Sequence, residues 1–280
     1  MESAASLLFM HGWATDSSVW DGSAKEIAGG RVYHALDLPG HGGVENWDSE
    51  TLDPAGREIA RVTNAAPKSN GTDTGSIIGI GWSLGGMALL SAAAKDPGLF
   101  KGLVLVSTGA SFVTRPGFEF GTPRARVRMM VEGMRKSAEE TLKGFYPLNF
   151  TTEEAKSAEA KDFISRYAPP GPVLCTEPGS GRPPGCYPTF DYTEITNALA
   201  ALGAIDLRAE AKALKVPTLI IHGTEDLVCP IEAGRALHEL LEKSTHSTMT
   251  RFTGAGHAPF ITERDRFNRT VIDFIKTLER

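Results

Sequence analysis

Cysteine is scarce in this chain, with three residues in 280, and none falls in a C-x-x-C or mixed His/Cys ligand pattern. So small and odd a number excludes a disulfide framework and argues against a structural metal. Long apolar runs are missing too: no stretch approaches the roughly 20 residues that a membrane-spanning helix requires. There is no excess of positive charge, the net being −5, so nothing global favours nucleic acid or an anionic membrane surface as a partner. The opening Met1 to Ser6 has neither a basic segment nor a long apolar stretch, and Ser6 to Met10 reads as a strand rather than a signal sequence. These absences lead to the expectation of a cytoplasmic protein, and no internal repeat is visible.

What is present suits one large α/β domain with an elaboration. Short apolar strand candidates, Ser6 to Met10, Val32 to Leu36, Ser76 to Ile80, Gly102 to Val106, Pro217 to His222 and Thr248 to Phe252, alternate with helical patterns. That order predicts a mostly parallel sheet flanked by helices, and several strands are nearly all apolar, as strands covered on both faces should be. The alternation stops after Ser107. Residues 109–207 carry amphipathic helical stretches and no convincing buried strand, so they are expected to form an inserted helical cap on a core of 1–108 and 208–280. Within the cap, 168–192 holds seven prolines, a density that excludes helix and central strand. Such a run is either a surface loop or a rim over the active site.

The most specific motif is Gly81-Trp82-Ser83-Leu84-Gly85, placed where the apolar run Ile77 to Ile80 gives way to the small-residue stretch from Gly86 to Lys95. A serine at the apex of so sharp a strand-to-helix turn needs neighbours without a Cβ two residues to either side, which the G-x-S-x-G spacing supplies. A nucleophilic serine needs a base, and the base an orienting acid. His257 lies in a glycine-rich turn after the strand candidate Thr248 to Phe252, and Asp226 lies just past Pro217 to His222. The chain order Ser, Asp, His is that of the α/β-hydrolase scaffold, and all three residues fall at carboxyl ends of strands. An oxyanion hole would come from the amide after the nucleophile, that of Leu84, and from the loop after an early strand, where Trp13 is the candidate. His11 and Asp37 read as residues that brace loops.

The stretches Leu8-Phe-Met-His-Gly-Trp13, Asp37-Leu-Pro-Gly40, Gly81-Trp-Ser-Leu-Gly-Gly86, Asp206-Leu-Arg with Val216-Pro, and His257-Ala-Pro-Phe-Ile261 resemble an α/β-hydrolase fold. Within that superfamily they are similar to the pimeloyl-acyl-carrier-protein methyl ester esterases of biotin synthesis. The resemblance implies Ser83 as nucleophile, His257 as general base and then acid, Asp226 as orienting acid, Trp13 and Leu84 as oxyanion donors, and Trp82 as a pocket-lining residue. It implies ester hydrolysis through a covalent acyl intermediate, a reaction needing no cofactor and no metal. The cap agrees from another direction. Between Val113 and Lys136 six basic residues stand against two acidic ones. Arg124, Arg128 and Arg135 share one helical face by spacing, whereas Arg126 does not. Such a face would suit an acidic acyl carrier protein bearing the substrate ester; equally, the arginines would serve simply to solvate a helix. A monomer is expected. A general short-chain carboxylesterase, or a carbon–carbon hydrolase or lyase with the same triad, is the alternative.

Overall fold

The computed structural model of the chain describes residues 4–42, 44, 46–65, 77–168, 190–242 and 246–279. Six strands form one wholly parallel sheet: β1 (Ser6–Met10), β2 (Tyr33–Leu36), β3 (Ile77–Trp82), β4 (Phe100–Val106), β5 (Thr218–Gly223) and β6 (Ser247–Phe252), in the spatial order β2-β1-β3-β4-β5-β6. The strand ends lie within two residues of those expected from the sequence. The inner strands β3 and β5 are buried along their whole length, as helices on both faces require, while β2 and β6 at the edges keep exposed positions.

The helices are α1 (Ala24–Ala28), α2 (Asp53–Ala65), α3 (Leu84–Lys95), α4 (Arg124–Lys136), α5 (Ala138–Phe145), α6 (Ala158–Tyr167), α7 (Tyr192–Ala204), α8 (Arg208–Ala213), α9 (Ile231–Glu242), α10 (Pro259–Thr262) and α11 (Arg264–Leu278). In the core, α2, α3, α8 and α9 pack as one layer and α1 with α11 as another. The helical sequence pattern from Ile261 to Leu278 spans two helices, α10 and α11. They meet at Glu263, where the backbone leaves helical geometry.

Between β4 and β5 the chain adds no strand to the sheet among the described residues; it carries α4 to α8 instead, with α4 packed against α5 and α7. We read 109–207 as the inserted cap on that basis. The proline-rich run falls largely outside the described residues, as do Cys175 and Cys186. No described helix is long and apolar enough to cross a membrane.

The strand order places the site. β1 is flanked by β2 on one side and β3 on the other, so the chain turns opposite ways from these neighbouring strands and opens a crevice at their carboxyl ends. Met10 is the register partner of Gly81, which sets the loop after β1 beside Ser83. Gly223 is the partner of Phe252, which brings the loops bearing Asp226 and His257 together.

Candidate functional site

Ser83 directly follows β3 and caps α3 with φ 53° and ψ −115°, a left-handed conformation that a residue with a Cβ rarely adopts. The surrounding glycines have a steric cause visible in the structure. A Cβ on Gly81 would stand 2.6 Å from the Gly86 nitrogen, and one on Gly85 would run into the carbonyl oxygens of Met10 and His11. Gly86 is equally constrained, because a Cβ there would strike Thr108 Oγ1. The turn therefore sits directly against β1 and β4, with the serine at its tip.

His257 is buried between core and cap. Its Nδ1 donates to Asp226 Oδ2 at 2.7 Å, and its ring lies 5.4 Å from the Trp82 indole, whose Nε1 donates to the His257 carbonyl at 2.8 Å. Asp226 is buried as well, and its other oxygen, Oδ1, accepts the backbone amides of Val228 and Cys229, both at 2.8 Å. Burial by itself would push the carboxyl's pKa up, but the electrostatic interaction with His257 and the side-chain hydrogen bonds from His222 and His257 outweigh it and hold the group below the usual carboxylate range. Asp226 is thus an ionised acceptor aimed at an imidazole.

Ser83, His257 and Asn149 line one pocket, walled mainly by Trp13, Trp82, Phe112, Met130, Phe145 and Leu199. Four of those walls come from 109–207, so the pocket closes only with the cap in place. The amide of Leu84 opens α3 and has no carbonyl four residues back to bond, while Trp13 is locked by its indole, which donates to the Ile195 carbonyl at 2.6 Å. His11 and Asp37 brace the neighbouring loops. His11 Nε2 accepts the Leu38 amide at 2.8 Å while its Nδ1 donates to the Gly12 carbonyl at 2.7 Å, and Asp37 Oδ1 accepts the Ser17 amide at 2.6 Å. His41 repeats the arrangement, its Nε2 accepting the Ala14 amide at 3.0 Å and its Nδ1 donating to the Pro39 carbonyl at 2.8 Å.

Both rings are held neutral. Burial lowers the pKa of His11 from 6.5 to about 4; burial, together with nearby His11, lowers that of His41 to about 3. The unfolded chain takes up these protons at higher pH than the folded one, so stability is full above pH 6.5 and drains away as the pH falls toward 4. His11 alone accounts for about 3 kcal/mol of that loss. Denaturant melts at pH 7 and pH 4 should show this fall, and equal midpoints would contradict it.

Some site residues carried no signal in the sequence. The Asn149 carbonyl accepts the amides of His257 (2.9 Å) and Ala258 (3.3 Å), and the Glu154 carboxylate accepts the Gly256 amide (2.8 Å) and the Thr262 hydroxyl (2.6 Å). The loop of His257 is thereby tied to the cap by four hydrogen bonds. Of the cap arginines, Arg124, Arg128 and Arg135 line one open groove between α4 and α7, and Arg126 does not line it. Arg115 belongs elsewhere: its guanidinium bonds the Ala204 and Ile205 carbonyls at the end of α7, at 2.6 and 2.8 Å.

The sequence model of the alpha/beta hydrolase family matches residues 7–270. The chain belongs to that family. Among curated relatives of this hydrolase, the pimeloyl-[acyl-carrier protein] methyl ester esterase of Nitrosomonas europaea is 28% identical over 264 residues, covering 93% of this chain and 92% of the relative. The protein of the same name from Chromobacterium violaceum is 27% identical, with 97% and 94% covered. Of solved structures, an esterase from Exiguobacterium antarcticum superposes with a TM-score of 0.79 at 21% identity, covering 99% of this chain and 93% of the other. The enol-lactonase of Burkholderia xenovorans LB400 gives 0.77 at 19%, with 98% and 92% covered. The structural matches establish the alpha/beta hydrolase fold.

Proposed function

We propose that this hydrolase is a serine carboxylesterase that cleaves the methyl ester of a pimeloyl-acyl-carrier protein, releasing methanol and the free carboxylate. The observation that carries the reading is the buried Asp226–His257 pair, bonded at 2.7 Å, whose imidazole lines with Ser83 and Asn149 a pocket otherwise walled by apolar side chains. The names of the full-length relatives support the substrate.

In this reading His257 Nε2 takes the Ser83 proton as Oγ attacks the ester carbonyl, and the oxyanion is held by the amides of Trp13 and Leu84. The C–O bond to the leaving group breaks, His257 returns the proton, and methanol departs. Water then gives a proton to the same nitrogen and attacks the acyl-serine, which regenerates Ser83 and frees the acid. Asp226 keeps Nδ1 protonated throughout and stabilises the imidazolium. Trp82 and the cap side chains hold the alkyl chain. These steps use side chains and water alone, in a cytoplasmic monomer.

Arg124, Arg128 and Arg135 are exposed around an open groove whose floor includes Val127, Val131 and Gly203, a shape suited to an acidic carrier helix. Charge reversal at Arg124 and Arg128 should raise KM for the carrier-bound methyl ester about tenfold or more, while hydrolysis of a short p-nitrophenyl ester stays unchanged. Equal loss on both substrates would remove the carrier from the proposal. Rapid cleavage of the small ester alone by the wild type would leave a general carboxylesterase.

A further inference from the structure

The Asp226 carboxylate carries a second imidazole, for which the steps above have no use. His222 lies near the end of β5, fully buried, with Nε2 2.7 Å from the Cys229 carbonyl oxygen and 3.3 Å from Asp226 Oδ2. Both partners only accept, so Nε2 holds the proton and shares it between them. Nδ1, on the far side of the ring, is buried with no hydrogen-bond partner and packs on Gly234 of α9, where even a Cβ would collide with it. A proton there would be a buried charge with nothing to receive it. The geometry therefore describes a neutral ring whose only N–H is turned toward the acid of the triad.

Asp226 is then a carboxylate with four donors: two backbone amides on Oδ1, and the imidazoles of His257 and His222 on Oδ2. We infer that His222 is a positioning residue for the reaction, its Nε2–H fixing Oδ2 against His257 and drawing off part of the negative charge that His257 experiences. The kinetic consequence rests on the serine-hydrolase reading; the geometry does not.

The sign follows from the hydrogen bonding. A carboxylate that loses a donor concentrates its charge on the donors that remain, and so favours the imidazolium of His257 more strongly. Without the His222 N–H, His257 should keep its proton to higher pH and the acid limb of kcat/KM should move up. Few other groups face the pair. The Cys229 thiol is pushed well above its ordinary range by burial and by Asp226, so it stays neutral. Arg251, the register partner of His222 on β6, is exposed; Glu154 and Asn149 face the His257 loop from the cap; α9 presents Gly234. Of this set, only imidazoles are of a type that titrates near neutrality.

The test combines kinetics on a short p-nitrophenyl ester with nitrogen NMR of the histidine rings, on the full chain. His222→Phe should lower kcat about tenfold and move the acid limb up by about half to one pH unit. His222→Gln, whose amide N–H can reach the same oxygen, should bring the limb back toward the wild-type position. A lower kcat or Tm with an unmoved limb in His222→Phe would mean packing alone and would overturn the inference. Should that variant fail to fold, the wild type decides: nitrogen NMR should place the His222 proton on Nε2, the nitrogen facing Asp226 and the Cys229 carbonyl, and a ring protonated on Nδ1 would overturn it. If wild type hydrolyses no ester, the serine-hydrolase reading fails, and the imidazole titration of His257 in wild type and variants still reports the effect of His222.

Discussion

Replacing Ser83 with alanine should lower kcat on a p-nitrophenyl ester by about 10⁴- to 10⁶-fold, with KM nearly unchanged. In the proposed mechanism the oxygen that forms the covalent bond is lost, while the cavity walls and both proposed amide donors stay where they are. A residual rate above uncatalysed hydrolysis is expected, because oxyanion stabilisation and substrate binding survive loss of the nucleophile. Folding should be preserved: the strained φ of 53° at residue 83 is imposed by the close approach of Gly81, Gly85 and Gly86 to neighbouring backbone and side chain, and alanine suffers there no more than serine does. The measurement is steady-state hydrolysis alongside a thermal melt. A variant of wild-type stability retaining a tenth of the normal kcat would end the serine-nucleophile reading.

Asp226→Asn should cost about 10⁴-fold in kcat, for a reason specific to this site. The asparagine oxygen would take the place of Oδ1, where the Val228 and Cys229 amides both donate. Its NH₂ would then stand where Oδ2 now accepts from His257 Nδ1, opposed as well to the His222 N–H 3.3 Å away. Two donors facing each other repel, and His257 would be driven to the tautomer with its proton on Nε2. A ring protonated there cannot take the Ser83 proton. Steady-state kinetics would check the loss and nitrogen NMR the tautomer; a fall of less than tenfold, or an unchanged His257 tautomer, would show that Asp226 does not orient the base.

Much of this site is legible from the sequence because its parts are short-range. Three glycines within six residues dictate the turn around Ser83, and Asp226 and His257 each follow a strand candidate by a few residues. Arg124, Arg128 and Arg135 share a helix face by spacing, and the structure lines one groove with them. Arg115, one of the six basic residues of the same segment, is consumed at the end of α7, because a guanidinium beside unbonded helix-terminal carbonyls has partners that no spacing reveals. The break at Glu263 was hidden for a related reason. The apolar pattern continues across it, while the Thr262 hydroxyl is held from the cap by Glu154, more than a hundred residues away in the chain.

By itself the sequence determined the parallel sheet, the position of the serine at its centre, the chain order of the three polar residues and the family to which the chain belongs. Those rest on hydrophobic period and on steric demands within a few residues. Only the tertiary structure decided that the cap clasps the His257 loop through Asn149 and Glu154, that cap side chains close the cavity, and that a second histidine shares the carboxylate of Asp226. Each of those is a contact between residues brought together by strand register or by helix packing, and the hydrogen bonds that define them have no period in the sequence to betray them.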